Sequence, residues 1–176
     1  MKIKELKILY APWRGEYLMN YNKNNPSDKC IFCYYNDIKI KDIEPSVENL
    51  VLYKAVYSFI MLNKYPYING HLMIIPYRHI SDIELLTDEE KKEIFDLIIL
   101  SKRVLNISYN MDGYNIGANV GRAAGAGVDQ HIHFHILPRF IGDHNFMTTI
   151  SDVRVISFSL EQTYLTLLQN LKKLFD

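Results

Sequence analysis

The sequence predicts an α+β fold, with an antiparallel sheet of about five strands, one long helix and a C-terminal helix. Three observations carry that prediction. Five short runs rich in β-branched and aromatic residues are bounded by turn residues, three before the middle of the chain and two after it. A single long run of helical periodicity with a capping signature separates the two groups. A second amphipathic run closes the chain.

Residues 1–29 read as irregular, because Ala11-Pro12-Trp13-Arg14 and the stretch from Asn22 to Lys29 are rich in turn and breaker residues. Asn49 to Tyr53 and Tyr57 to Asn63 read as two strands with a short connection. Tyr65 to Gly70 is a turn, and His71 to Pro76 is a buried strand ended by its proline. Thr87-Asp88-Glu89-Glu90 is a capping box. The helix it opens runs to about Tyr109, with Ile94, Leu97, Ile98, Val104 and Leu105 on the buried side. Tyr114 to Val120 is a fourth strand, and five of the eight glycines lie between Gly113 and Gly127. Ile132 to Leu137 is the fifth strand, ended by Pro138, and Leu160 to Phe175 is the closing helix.

At 176 residues the chain suits one domain with a real core, and no repeat, linker or low-complexity tract divides it. Twenty basic and twenty acidic residues give a formal net charge of zero. That argues against stable nucleic-acid binding, or adhesion to an anionic membrane, through bulk charge. The first ten residues mix charged and apolar types, unlike a signal peptide, and no apolar stretch is long enough to cross a bilayer. Two cysteines make no disulfide framework, so a reduced, cytoplasmic setting is expected. Thirteen tyrosines and eight phenylalanines suit a core, a subunit interface or a nucleobase pocket.

The chemistry concentrates in His131-Ile132-His133-Phe134-His135-Ile136-Leu137-Pro138-Arg139. On a strand the three histidines share one face, spaced about 6.6 Å, while Ile132, Phe134 and Ile136 share the other. Such a row suits metal binding or phosphoryl chemistry, in which one imidazole attacks and another donates a proton. The plain alternative is a solvated edge-strand face. Against it stands the stretch Gly117 to Gly127, which ends four residues upstream. Its glycines, Gly125 and Gly127 among them, let backbone amides turn toward a phosphate. Cys30-x-x-Cys33 is half of a tetrahedral zinc site, with His79 and His131 as candidate partners; two buried thiols or a redox pair are the other readings. Arg139 reads as a phosphate clamp or a structural ion pair, and His144 as a surface residue.

His131-x-His133-x-His135-x-x-Pro138-Arg139 resembles the signature of the histidine-triad superfamily. Leu62-Asn63, Gly70-His71-Leu72, Ile75-Pro76, His79 and Asn119 extend the resemblance over roughly residues 45–140, the expected core of a single domain spanning 1–176. Leu9 to Arg14, the CxxC pair, Asn115 to Asn119 and Gly142 to Phe146 are similar to a prokaryotic branch that includes diadenosine tetraphosphate phosphorylases.

The resemblance implies a nucleotidyl hydrolase or transferase acting on adenosine dinucleotides. In it His133 attacks the α-phosphate, and a covalent nucleotidyl-histidine is resolved by water or phosphate. His135 contacts the α-phosphate and helps the leaving group, while His131 and His71 buttress the site. Asn63 holds the ribose hydroxyls, and Asn119 contacts phosphate or supports a group that does. Imidazoles and backbone amides supply the charge stabilisation, so the chemistry needs no metal. The resemblance also implies structural zinc on Cys30, Cys33, His79 and His131, and a homodimer. Gly127 stands where many members carry a phosphate-contacting Ser or Thr. Phosphorolysis and hydrolysis therefore both stay open, as do an adenosine phosphoramidate hydrolase and a non-catalytic nucleotide-binding module.

Overall fold

The computed structural model of the chain describes residues 30–143 and 155–175. The segment 1–29, with its motif at 9–14, and His144 lie outside the described residues. In chain order the elements are β1 (Tyr34–Tyr35), β2 (Ile38–Lys39), β3 (Val51–Lys54), β4 (Ser58–Leu62), β5 (Leu72–Pro76), α1 (Asp88–Tyr109), β6 (Gly113–Ala118), β7 (Phe134–Arg139) and α2 (Leu160–Lys172). Strands β3 to β7 form one antiparallel sheet in the order β3-β4-β5-β7-β6, as the fold class predicted.

The period of two explains how the sheet is used. In the β4–β5 ladder, Ile60 faces Ile74 and Leu62 faces Leu72. These residues join Ile94, Leu97, Leu105, Tyr164 and Leu167 in a core between the sheet and the two helices. The alternate set, Phe59, Met73 and Ile75, packs instead with Cys30, Phe32, Ile40 and Ile43. The Cys30–Ile43 segment therefore covers the second face. Strand β5 is apolar on both faces, which is why it reads as a continuous hydrophobic run.

Helix α1 starts with the capping box the sequence predicts. The Thr87 hydroxyl accepts from Glu90 N–H, and the Glu90 carboxylate accepts from Thr87 N–H at 2.9 Å. Ser159 and Gln162 repeat the device at the start of α2. Tyr164 of α2 donates its hydroxyl proton to the Val51 carbonyl at 2.9 Å, tying that helix to β3. Gly70 closes the turn before β5 with φ +78°, and a Cβ there would meet Tyr109 Cε2 at 2.9 Å, so both backbone and packing demand glycine.

Four boundaries differ from the sequence expectation. Pro138 does not end its strand; it pairs with Tyr114 inside β7. The ladder to β5 stops at Ile136, so beyond it that side of β7 is an open edge that tolerates a missing N–H. The strand also begins at Phe134, leaving His131 to His133 in the extended run before it. Strand β6 stops at Ala118 and α2 at Lys172. The β1–β2 hairpin was not expected. Its turn, Asn36-Asp37, holds φ +47° and +69°, the conformation that suits two-residue hairpins.

Candidate active site

The β5–β7 register sets Met73 opposite His135 and Leu72 opposite Ile136. His135 therefore lies on the sheet face covered by the Cys30–Ile43 segment, and Ile136 enters the core under the helices. His131, His133 and His135 are 0%, 5% and 8% exposed, and His71 is 1% exposed. A solvated edge face is excluded by those values.

Hydrogen bonds assign the protons. The amide of Tyr67 donates to His71 Nδ1 at 3.2 Å. His71 Nε2 therefore carries the proton and donates it to His135 Nδ1 at 2.9 Å. His135 in turn keeps its own proton on Nε2. His133 is set the other way: Nδ1–H donates to the His131 carbonyl at 2.9 Å, so its lone pair is on Nε2. Burial holds His133 below the ordinary histidine range, partly offset by that carbonyl, so its neutral form is favoured. The rings of His133 and His135 lie 4.9 Å apart between centroids. A neutral imidazole lone pair beside a protonated ring nitrogen can attack phosphorus and protonate a departing oxygen.

His133 and His135 line a cavity of about 610 Å³, the size range of nucleotide and cofactor sites. Asn63, Asn119, Gly125 and Gly127 share its wall. Gly121 and Gly125 hold φ +77° and +86°, with open space where a Cβ would stand, so the glycines of this loop serve its backbone path. Asn63 Oδ1 accepts from Tyr65 N–H at 2.8 Å, and its Nδ2 lies 3.5 Å from His71 Nε2. Arg139 is not part of this wall. Its guanidinium pairs with Asp143 at 2.6 Å and donates to Asn115 Oδ1 at 2.7 Å, which is the structural alternative.

Cys30, Cys33, His79 and His131 bring one donor atom each within 4.8 Å of the others. Sγ of Cys30 lies 3.4 Å from His131 Nδ1, and Sγ of Cys33 lies 3.4 Å from His79 Nδ1 and 3.5 Å from His131 Nδ1. A tetrahedron of zinc–sulfur and zinc–nitrogen bonds has edges of about 3.5 Å. His131 Nε2–H donates to the Pro76 carbonyl at 2.9 Å, which leaves Nδ1 unprotonated toward the sulfurs. The amide of Phe32 donates to Cys30 Sγ at 3.4 Å. Without an ion, burial and then Cys30 push the Cys33 thiol up to about 12, and burial holds His131 down to about 4. The residues fit a tetrahedral metal ion.

Two participants escaped sequence reading. Phe32 packs its ring 5.6 Å from His131 and 4.9 Å from His133, and Tyr67 lies 4.8 Å from His71. The position of Phe32 inside the CxxC spacing was the available signal for the first.

Comparison with known proteins agrees with this geometry. The HIT domain profile matches residues 44–142. The chain is 33% identical over 159 residues to the AP-4-A phosphorylase of Mycobacterium tuberculosis, covering 90% of this chain and 81% of that protein. It is 33% identical over 95 residues to the bis(5'-adenosyl)-triphosphatase of Saccharomyces cerevisiae, covering 53% of this chain and 46% of that one. A zinc-bound histidine triad family protein of Mycobacterium smegmatis superposes with a TM-score of 0.60 at 26% identity, covering 75% and 88% of the two chains.

Proposed function

This chain belongs to the HIT domain family, and from that premise we propose that it cleaves dinucleoside polyphosphates at the α-phosphate through a covalent nucleotidyl-His133 intermediate. The opposed tautomers of His133 and His135 carry the reading. His133 Nε2 attacks the α-phosphorus as the bond to the bridging oxygen breaks. The departing oxygen takes the proton of His135 Nε2, held there by the His71 relay. Asn119 and the loop through Gly125 and Gly127 contact phosphate, and Asn63 offers Nδ2 to the ribose. Water or inorganic phosphate then attacks the same phosphorus and frees His133. With diadenosine tetraphosphate the first product is ATP; water releases AMP, and phosphate releases ADP. The activities named for both curated relatives support this substrate class.

Cys30, Cys33, His79 and His131 would hold zinc, which supplies a structural crosslink there. Those ligands fix the turn that places Phe32 against His133. The test of the overall reading is incubation with diadenosine tetraphosphate, with and without inorganic phosphate. ADP with ATP only when phosphate is present means phosphorolysis; AMP with ATP in both cases means hydrolysis. No turnover contradicts the proposal.

A further inference from the structure

A dinucleoside polyphosphate brings several charged phosphates, but the groups around the triad serve one. His133, His135, Asn119, Gly125 and Gly127 line one cavity, and the proposed function assigns them to the phosphorus to be attacked. The rest of the cavity wall is largely apolar and aromatic, and its two carboxylates, Glu48 and Glu161, repel phosphate. Among the described residues, Lys64 is the one Lys or Arg side chain on that wall. The nearby arginines are committed elsewhere, Arg122 to Asp129 at 2.7 Å and Arg139 to Asp143 at 2.6 Å.

The backbone at Lys64 is fixed. Asn63 N–H donates to the His71 carbonyl at 3.0 Å, and Asn63 Oδ1 accepts from Tyr65 N–H at 2.8 Å, so Lys64 occupies the tip of a closed turn. That turn adjoins the His71–His135 relay. The side chain itself is exposed, with its ammonium 6.0 Å from the Tyr65 ring centroid. A compact charge on a flexible stem suits a phosphate chain whose position varies with its length.

We infer that Lys64 pairs with phosphates beyond the one attacked by His133 and sets the preference of this site for longer polyphosphate bridges. The inference rests on the proposed function and names a specificity determinant for it. The test compares the affinities of the full chain and its K64Q and K64R variants for AMP and for diadenosine tri-, tetra- and pentaphosphate, at low and high salt. The unaltered protein should favour the longer bridges over AMP. Lys64→Gln should lower that ratio about tenfold for the tetraphosphate, and Lys64→Arg should retain most of it. The preference of the unaltered protein should also shrink as salt rises, while that of the Gln variant stays flat. An unchanged ratio in Lys64→Gln, with the unaltered protein binding and cleaving the tetraphosphate, overturns this inference alone. Failure of the unaltered protein to bind any of these nucleotides overturns the proposed function together with it.

Discussion

One backbone carbonyl sets the tautomer of His133. By accepting from Nδ1 at 2.9 Å, the His131 carbonyl leaves the lone pair on Nε2. The opposite assignment at His135 begins with the Tyr67 amide and passes through His71. Replacing His71 by Phe removes the donor to His135 Nδ1 but leaves His133 in place. We expect kcat to fall about 10- to 100-fold with little change in KM, by steady-state kinetics. A rise in KM at unchanged kcat would assign His71 to binding instead. Alternation made the triad legible in the sequence, because the period of a strand is local. The proton assignments were not legible. They depend on Tyr67, Pro76 and His131 acting as backbone partners, which only the fold brings near those rings.

At the scale of elements, caps and turns carried the sequence reading furthest. Thr87 and Glu90 marked the start of α1 correctly, and Glu90 does further work there. It is buried and accepts two hydrogen bonds from Arg78, both at 2.7 Å, which hold its carboxyl below the ordinary value of 4.5. A depressed carboxyl pKa contributes stability that is fully present above the unfolded value and is lost as pH falls from there through the depressed one. Glu90→Gln should therefore cost about 2 kcal/mol at neutral pH, and its deficit should shrink below about pH 4.5 in denaturant titrations. A deficit independent of pH would mean that packing, not charge, is what Glu90 supplies. The Cys30, Cys33, His79 and His131 cluster draws on three separate segments of the chain; for the zinc proposed there, chelation, or Cys33→Ser, should abolish one bound ion per chain and lower Tm by about 5–10 °C. Equal Tm with and without metal would contradict a structural role. The β1–β2 hairpin escaped notice because two-residue strands show no periodicity. Pro138 misled because the end of the β5 ladder is a property of the sheet, not of the local sequence.

At the scale of the molecule, the sheet ends on two edge strands, β3 and β6. β6 lies at its edge, and Tyr114 and Ile116 are 45% and 50% exposed. The resemblance implies a homodimer, and a dimer built on this exposed strand should become monomeric in Ile116→Lys by sedimentation. A monomeric unaltered chain would contradict that expectation. The covalent intermediate on His133 separates this mechanism from its alternatives more sharply than tautomers or oligomeric state do. The measurement is acid-free quenching of the enzyme with diadenosine tetraphosphate, followed by peptide mass spectrometry. We predict an adenylyl group on His133, formed in the unaltered chain and absent in an inactive, folded His133→Ala variant. Turnover without that adduct, or by the His133→Ala variant, would exclude a nucleotidyl-His133 intermediate.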